Sequence, residues 1–236
     1  LGVPHPPGYP LWSMLVWVFA RVFSFVTFRG QPNPAWGIAL ASAVFGAFSC
    51  AFMAMLICRS GADMLRRAES AIHRISDRVA DLICWTGGVV CSVIFAFSPV
   101  NWSQSVIVEV YSLNAFFLIL MFLLTYRWMV RPTDRLLYVT AFVFGLGMTN
   151  YQVLLLALLA LVIVIFLKDI GLFRDFLIVS TVLVVGLVVM QLGSLSPAPN
   201  FNKPMLLPGP YAQPPLPGKQ YVFLFLVMMA LCGLAI

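Results

Sequence analysis

Between Arg135 and Lys168 the chain runs for 32 residues without a charged side chain. As one helix this stretch would be about 48 Å long, whereas a bilayer's hydrocarbon core is only ~30 Å thick. Its middle reads GLGMTN at 145–150, and glycine and asparagine favour turns. The run is therefore expected to divide into two helices near 145–150. The first would be only about 13 residues long, short enough to need a thinned membrane or a water-filled cavity.

Other uncharged runs occupy 35–58, 82–100, 110–126 and 176–193, and a last one begins at 221. Hydrophobic residues make up 62% of the 236 and charged ones 9%, an excess that a water-soluble domain of this size cannot bury. The expected fold class is all-α, a polytopic transmembrane helical bundle. Residues 1–34 read as an outer juxtamembrane segment and 35–193 as six transmembrane helices. Residues 194–220 hold eight of the sixteen prolines and read as an outer loop, and 221–236 read as the start of a further helix. Leu1 is not methionine and the last apolar run is not closed by a charge, as expected of an internal fragment. The five cysteines all lie in apolar runs and read as small buried hydrophobes, with no metal-ligand spacing.

Basic residues set the sidedness. With the 136–167 run split in two, the loops at 59–81, 127–135 and 168–175 share one side. They carry ten of the fourteen lysines and arginines, which makes them cytoplasmic by the positive-inside bias. The net charge of +6 is thereby explained by topology, and no nucleic-acid partner is implied. Residues 11–28 are apolar but contain Arg21, and an arginine at a helix centre costs about 2.5–3.5 kcal/mol to insert. Ser13, Trp17, Arg21 and Ser24 recur on one helical face. That pattern favours a helix lying in the membrane interface over a tilted span.

Three outer segments carry polar groups that spanning does not require. LGVPHPPGYP at 1–10 holds His5 beside prolines that would open the next helix, with unpaired N–H groups suited to a phosphate. SPVNWSQSVIVEVYSLN at 98–114 contains Glu109, the sole acidic residue on the deduced outer face, with Trp102 and Tyr111 able to line a sugar site or to sit as belt aromatics. The break at 145–152 presents Asn150, Tyr151 and Gln152. No P-loop, GxSxG or HExxH motif is present. His73 sits in a charged loop that reads as a short surface helix.

HPPGYP, NPAWGIALASAVFGA, FSPVNWSQSVIVEVYSLNA and GLGMTN, in that order, resemble a family of multi-spanning membrane proteins. Its members occur in bacteria, and its animal members act as protein O-mannosyltransferases; the likeness covers residues 1 to about 165. The resemblance implies a GT-C glycosyltransferase fold. It also implies a polyprenyl-phosphate-linked sugar donor and a protein or glycan acceptor, meeting on the non-cytoplasmic face. The expected location is the bacterial inner membrane, among membrane lipids, and from the motifs no cofactor or metal is expected. His5, Tyr9, Trp102, Gln104, Tyr111 and Asn150 become the substrate-binding candidates. Glu109 is the catalytic candidate within this chain, because the family's usual acidic base would precede Leu1. Family members often carry histidine after the Asn of the GLGxTN break, where this chain has Tyr151 and Gln152, so no histidine role carries over. Two rival readings of the residues stay open: a transporter or flippase built on broken helices, and a non-catalytic scaffold.

Overall fold

The computed structural model describes residues 9–68 and 76–193, and it is helical apart from one two-residue hairpin. Helix α1 (Pro10–Val22) opens on a proline at its first turn, where the missing N–H costs nothing. At 13 residues it is about 20 Å long, too short to cross a bilayer core. The helix is shorter than the 11–28 segment expected to lie in the interface. Phe23 caps α1, so Ser24 falls outside the helix, and Arg21 sits in its last turn, where a cation favours the helix dipole. Arg21 lies over the Trp17 ring at 5.4 Å. Strands β1 (Thr27–Phe28) and β2 (Gln31–Pro32) then pair antiparallel. Arg29 and Gly30 between them have φ of 51° and 78°, the left-handed pair that a tight hairpin demands.

Asn33 caps α2 (Pro34–Ala68) by accepting from the Trp36 N–H at 3.3 Å. This helix of 35 residues runs well past 58. The charged stretch after Cys58 holds no proline and continues the span. The surface helix expected at 59–81 is therefore, up to Ala68, the end of α2. Helix α3 (Asp77–Ala96) stops short of Val100, because the span expected at 82–100 is cut at Ser98-Pro99. Pro99 has no N–H with which to extend the ladder. Ser98 works on both sides of the cut: its Oγ donates to Phe95 O at 2.8 Å and accepts from Asn101 N at 3.3 Å. The short helix α4 (Pro99–Val106) follows, then α5 (Tyr111–Val130) and α6 (Asp134–Met148). A single 3₁₀ turn, Gln152–Leu154, leads into α7 (Leu155–Lys168) and α8 (Ile170–Gly193).

Helices α2, α3 and α5 are long and apolar enough to cross a membrane, and with the composition they make this an integral membrane protein. The chain divides into two units, residues 1–161 and 162–236. In the first, α2 is the central helix and touches α1, α3, α4 and α5. Phe45, Phe48 and Phe52, at i, i+3 and i+7 on α2, surround Phe116 of α5 with ring centroids 5.5, 6.3 and 5.5 Å away. Along α5, Leu113, Phe117, Met121, Leu124 and Trp128 are buried. In the second unit, Asp169 caps α8 by accepting from Leu172 N at 2.9 Å, and Phe166 meets Phe173 edge-on at 5.1 Å. His5, His73, Cys232, the 194–220 loop and the 221–236 run lie outside the described residues.

Candidate functional site

Two helix interruptions in the first unit converge on the start of α5. The first is the Ser98-Pro99 corner. Beside it lies a cavity of about 340 Å³ whose polar lining comes from Ser98, Asn101, Gln104, Tyr111 and Ser112. None of its lining residues is charged. Asn101 is buried and donates to Ala96 O at 3.4 Å, holding the corner. Ser112 Oγ donates to Gln104 O at 2.8 Å, which ties the end of α4 to the start of α5. On α2 the facing residue is Gly46, where a Cβ would collide with Ser105 Oγ. That contact lets the α2 backbone close one side of α4.

The second interruption is the end of α6. Thr149 stays in the right-handed region, Tyr151 is extended at φ −154° and ψ 129°, and neither glycine of GLGMTN takes positive φ. The break therefore falls at 149–151, just after the glycines. Gly147 serves close approach instead, since a Cβ there would strike Leu154 and reach Phe117 at 3.0 Å. Asn150, 1% exposed, is turned inward and donates from Nδ2 to Val110 O at 3.3 Å. This bond fixes the amide's orientation and leaves Asn150 Oδ1 buried without a partner.

Tyr151 joins the two interruptions. Its ring meets Tyr111 edge-on at 5.7 Å and Tyr9, at the mouth of α1, at 6.2 Å. Tyr9 itself is held at φ 41°, an uncommon conformation for a bulky residue. Glu109 lies two residues before Tyr111, exposed, in the irregular link between α4 and α5, and within electrostatic reach of the Tyr111 hydroxyl. Among the described residues six buried side-chain oxygens lack a hydrogen-bond partner. Four of them, Gln104 Oε1, Ser105 Oγ, Asn114 Oδ1 and Asn150 Oδ1, belong to this region. A buried polar atom left unpaired costs about 1–3 kcal/mol, and such a concentration needs a cause such as water or a ligand.

The structure thus brings Tyr9, Gln104, Tyr111 and Asn150 to one end of the unit, with Glu109 exposed at its edge. Trp102 does not join them: it is 54% exposed and stacks on Phe97 at 5.5 Å, away from the cavity lining. Reasoning from sequence named Tyr151 only as part of the polar break and did not single out Asn101, Ser98 or Ser112. Tyr151 stands next to Asn150 in the break, and the Ser-Pro-x-Asn spacing at 98–101 is a capping signal that marks the corner. Among the described residues no group of three His, Cys, Asp or Glu side chains could hold a metal ion.

Residues 1–172 match the family described as the protein O-mannosyl-transferase TMEM260 N-terminal domain. Similar proteins include the mouse protein O-mannosyl-transferase TMEM260, 27% identical over 166 residues, covering 69% of this chain and 20% of the mouse protein. The Dictyostelium discoideum protein O-mannosyl-transferase tmem260 is 26% identical over 172 residues, covering 66% of this chain and 18% of its own length. The chain spans about a fifth of the length of these curated relatives. No solved structure matches.

Proposed function

The chain belongs to the family of the protein O-mannosyl-transferase TMEM260 N-terminal domain, and from that premise we propose that it is the N-terminal membrane part of a GT-C-type glycosyltransferase. The reaction is transfer of a sugar from a polyprenyl-phosphate donor to a protein or glycan acceptor, on the non-cytoplasmic face of a bacterial inner membrane. The observation that carries this reading is the buried, partnerless Asn150 Oδ1, whose amide is oriented by Val110 O at the start of α5, the helix whose Tyr111 and Ser112 line an uncharged cavity. An orphaned amide oxygen calls for a donor, and a polyol supplies O–H donors at closely spaced positions. Amides, hydroxyls and tyrosine rings suit a neutral sugar or a hydroxyl acceptor, since they hydrogen-bond its edge and cover its apolar face. A phosphate would find no cation in this lining, so the donor's phosphate is held by other groups. His5, in LGVPHPPGYP, is the candidate within this chain.

Glu109, exposed at the edge of this region, takes a binding or second-base role: it accepts from sugar or acceptor hydroxyls, or orients His5. As an anion it repels the donor phosphate and does not bind it. The principal base belongs to another segment of the full-length protein. The test is sugar transfer by that protein in proteoliposomes supplied with polyprenyl-phosphate mannose and an acceptor peptide. Glu109→Gln keeps size and most hydrogen-bonding capacity and removes the charge. It should insert at wild-type abundance and lose at least about tenfold in transfer, about 1.4 kcal/mol of barrier. Wild-type rates in both Glu109→Gln and Glu109→Ala would overturn the role given to this carboxylate. Absence of transfer by the wild-type protein with every such donor would overturn the enzyme reading itself.

A further inference from the structure

At the other end of α5, a second cavity of about 510 Å³ lies between α2, α5 and the start of α6. Arg59 and Arg66 of α2 line it together with Arg127 of α5 and Arg131, the residue that caps α5. Asp63 is the one carboxylate in the lining. Its carboxylate shares the single O–H of Tyr126 with Arg59 O, which lies 3.0 Å from the hydroxyl. The lining therefore carries four positive charges against one negative, 4 − 1 = +3. None of the four arginines is paired with a carboxylate among the described residues.

Positive-inside sorting accounts for arginines at the ends of spans, but it does not gather four of them around one concavity. Like charges held together repel unless a counter-ion joins them. We propose that this cavity binds the phosphate of an anionic membrane lipid. Guanidinium forks match phosphate oxygens in geometry and charge. Arg127 and Arg131 bracket the end of the apolar helix Tyr111–Val130, and the polar headgroup region begins where a span ends. Ala62, Val130 and Leu136 give the cavity apolar wall as well as charge, which a glycerol backbone and the first acyl carbons can cover and a free phosphate cannot. Basic pockets between transmembrane helices are a recurrent way of holding anionic headgroups. This site is independent of the sugar-transfer reading, because it shares no residue with that region.

The test is native mass spectrometry of the detergent-purified chain titrated with dioleoyl phosphatidylglycerol, dioleoyl phosphatidylcholine or inorganic phosphate. Phosphatidylglycerol should bind at least about tenfold more tightly than phosphatidylcholine, about 1.4 kcal/mol. Arg59→Gln/Arg127→Gln should remove most of that preference while leaving phosphatidylcholine adducts unchanged. Asp63→Asn, which deletes the one opposing charge and still accepts from Tyr126, should tighten phosphatidylglycerol binding several-fold, a gain that misfolding cannot produce. Equal affinity for the two lipids, or an unchanged preference in the double arginine variant, would overturn the site. A preference that Asp63→Asn lowers would overturn it too. Displacement of phosphatidylglycerol by millimolar inorganic phosphate would overturn the lipid as its occupant.

Discussion

Gly145 and Gly147 lie two residues apart on α6, and they should respond differently to the same substitution. Replacing a helical glycine by alanine gains about 0.8–1 kcal/mol of intrinsic helix propensity. At Gly145 a Cβ meets nothing within 4 Å, so Gly145→Ala keeps that gain. At Gly147 the Cβ strikes Leu154 and lies 3.0 and 3.2 Å from two Phe117 ring atoms. Neither neighbour has room to yield, since Leu154 is 0% and Phe117 4% exposed. Overpacking of this kind costs about 1–3 kcal/mol, which outweighs the propensity gain or cancels it. The propensity term is common to both variants, so their difference isolates the packing term. Gly147→Ala should be about 1–3 kcal/mol less stable than Gly145→Ala. Thermal unfolding of the two purified variants in one detergent, followed by intrinsic fluorescence, measures the difference. Gly147 O also accepts from the N–H groups of Asn150 and Tyr151 at 2.9 and 3.1 Å, so its displacement moves both residues and should lower transfer by the full-length protein. Equal stability of the two variants, or a more stable Gly147→Ala, refutes the claim that close approach explains this glycine.

Ser98→Ala removes the cap of α4 and should destabilise the protein by about 1 kcal/mol, while Ser98→Asp restores much of the loss; denaturant titration in detergent reads both. Asn150→Leu replaces an amide that is half unsatisfied, and Val110 O keeps its bond from Asn114 N at 3.0 Å. Stability should therefore stay within about 1 kcal/mol of wild type, or rise, while transfer by the full-length protein falls at least about tenfold. Lost stability with transfer intact would assign Asn150 to structure alone.

What could be read from the sequence follows from which forces act locally. The apolar runs marked α2, α3 and α5 because lipid imposes its length and polarity on every residue of a span. The interruption after GLGMTN was legible to within a few residues, but its cause was not. Turn preference pointed to the glycines, whereas the helix passes through both and ends where Tyr151 turns extended. Gly147 is required by Phe117 and Leu154, and sequence order does not show which side chains will face a given position. The cut at Ser98-Pro99 was present as a cap-and-proline signal, yet the uncharged run was carried past it to Val100, and α4 was not expected as a helix of its own. Trp102 shows the converse: site lining and belt aromatic were both open in the sequence, and the turn of α4 places it outward on Phe97.

The candidate site follows from those interruptions. A continuous helix in lipid satisfies its own backbone and leaves no polar group to spare. Breaking it frees N–H and C=O groups, which nearby side chains must then engage. At the Ser98 corner the serine and Asn101 take that part, and at the end of α6 the amide of Asn150 reaches across to Val110 O. Each such amide has two ends, and only one is used on the backbone. The other end of Asn150 is the buried oxygen left without a donor. Under the proposed function, polar atoms recruited to mend two broken helices are the groups offered to a substrate. That is why they collect where both breaks meet the start of α5. The arginines of the second cavity are kept apart from them, near the far end of the same helix.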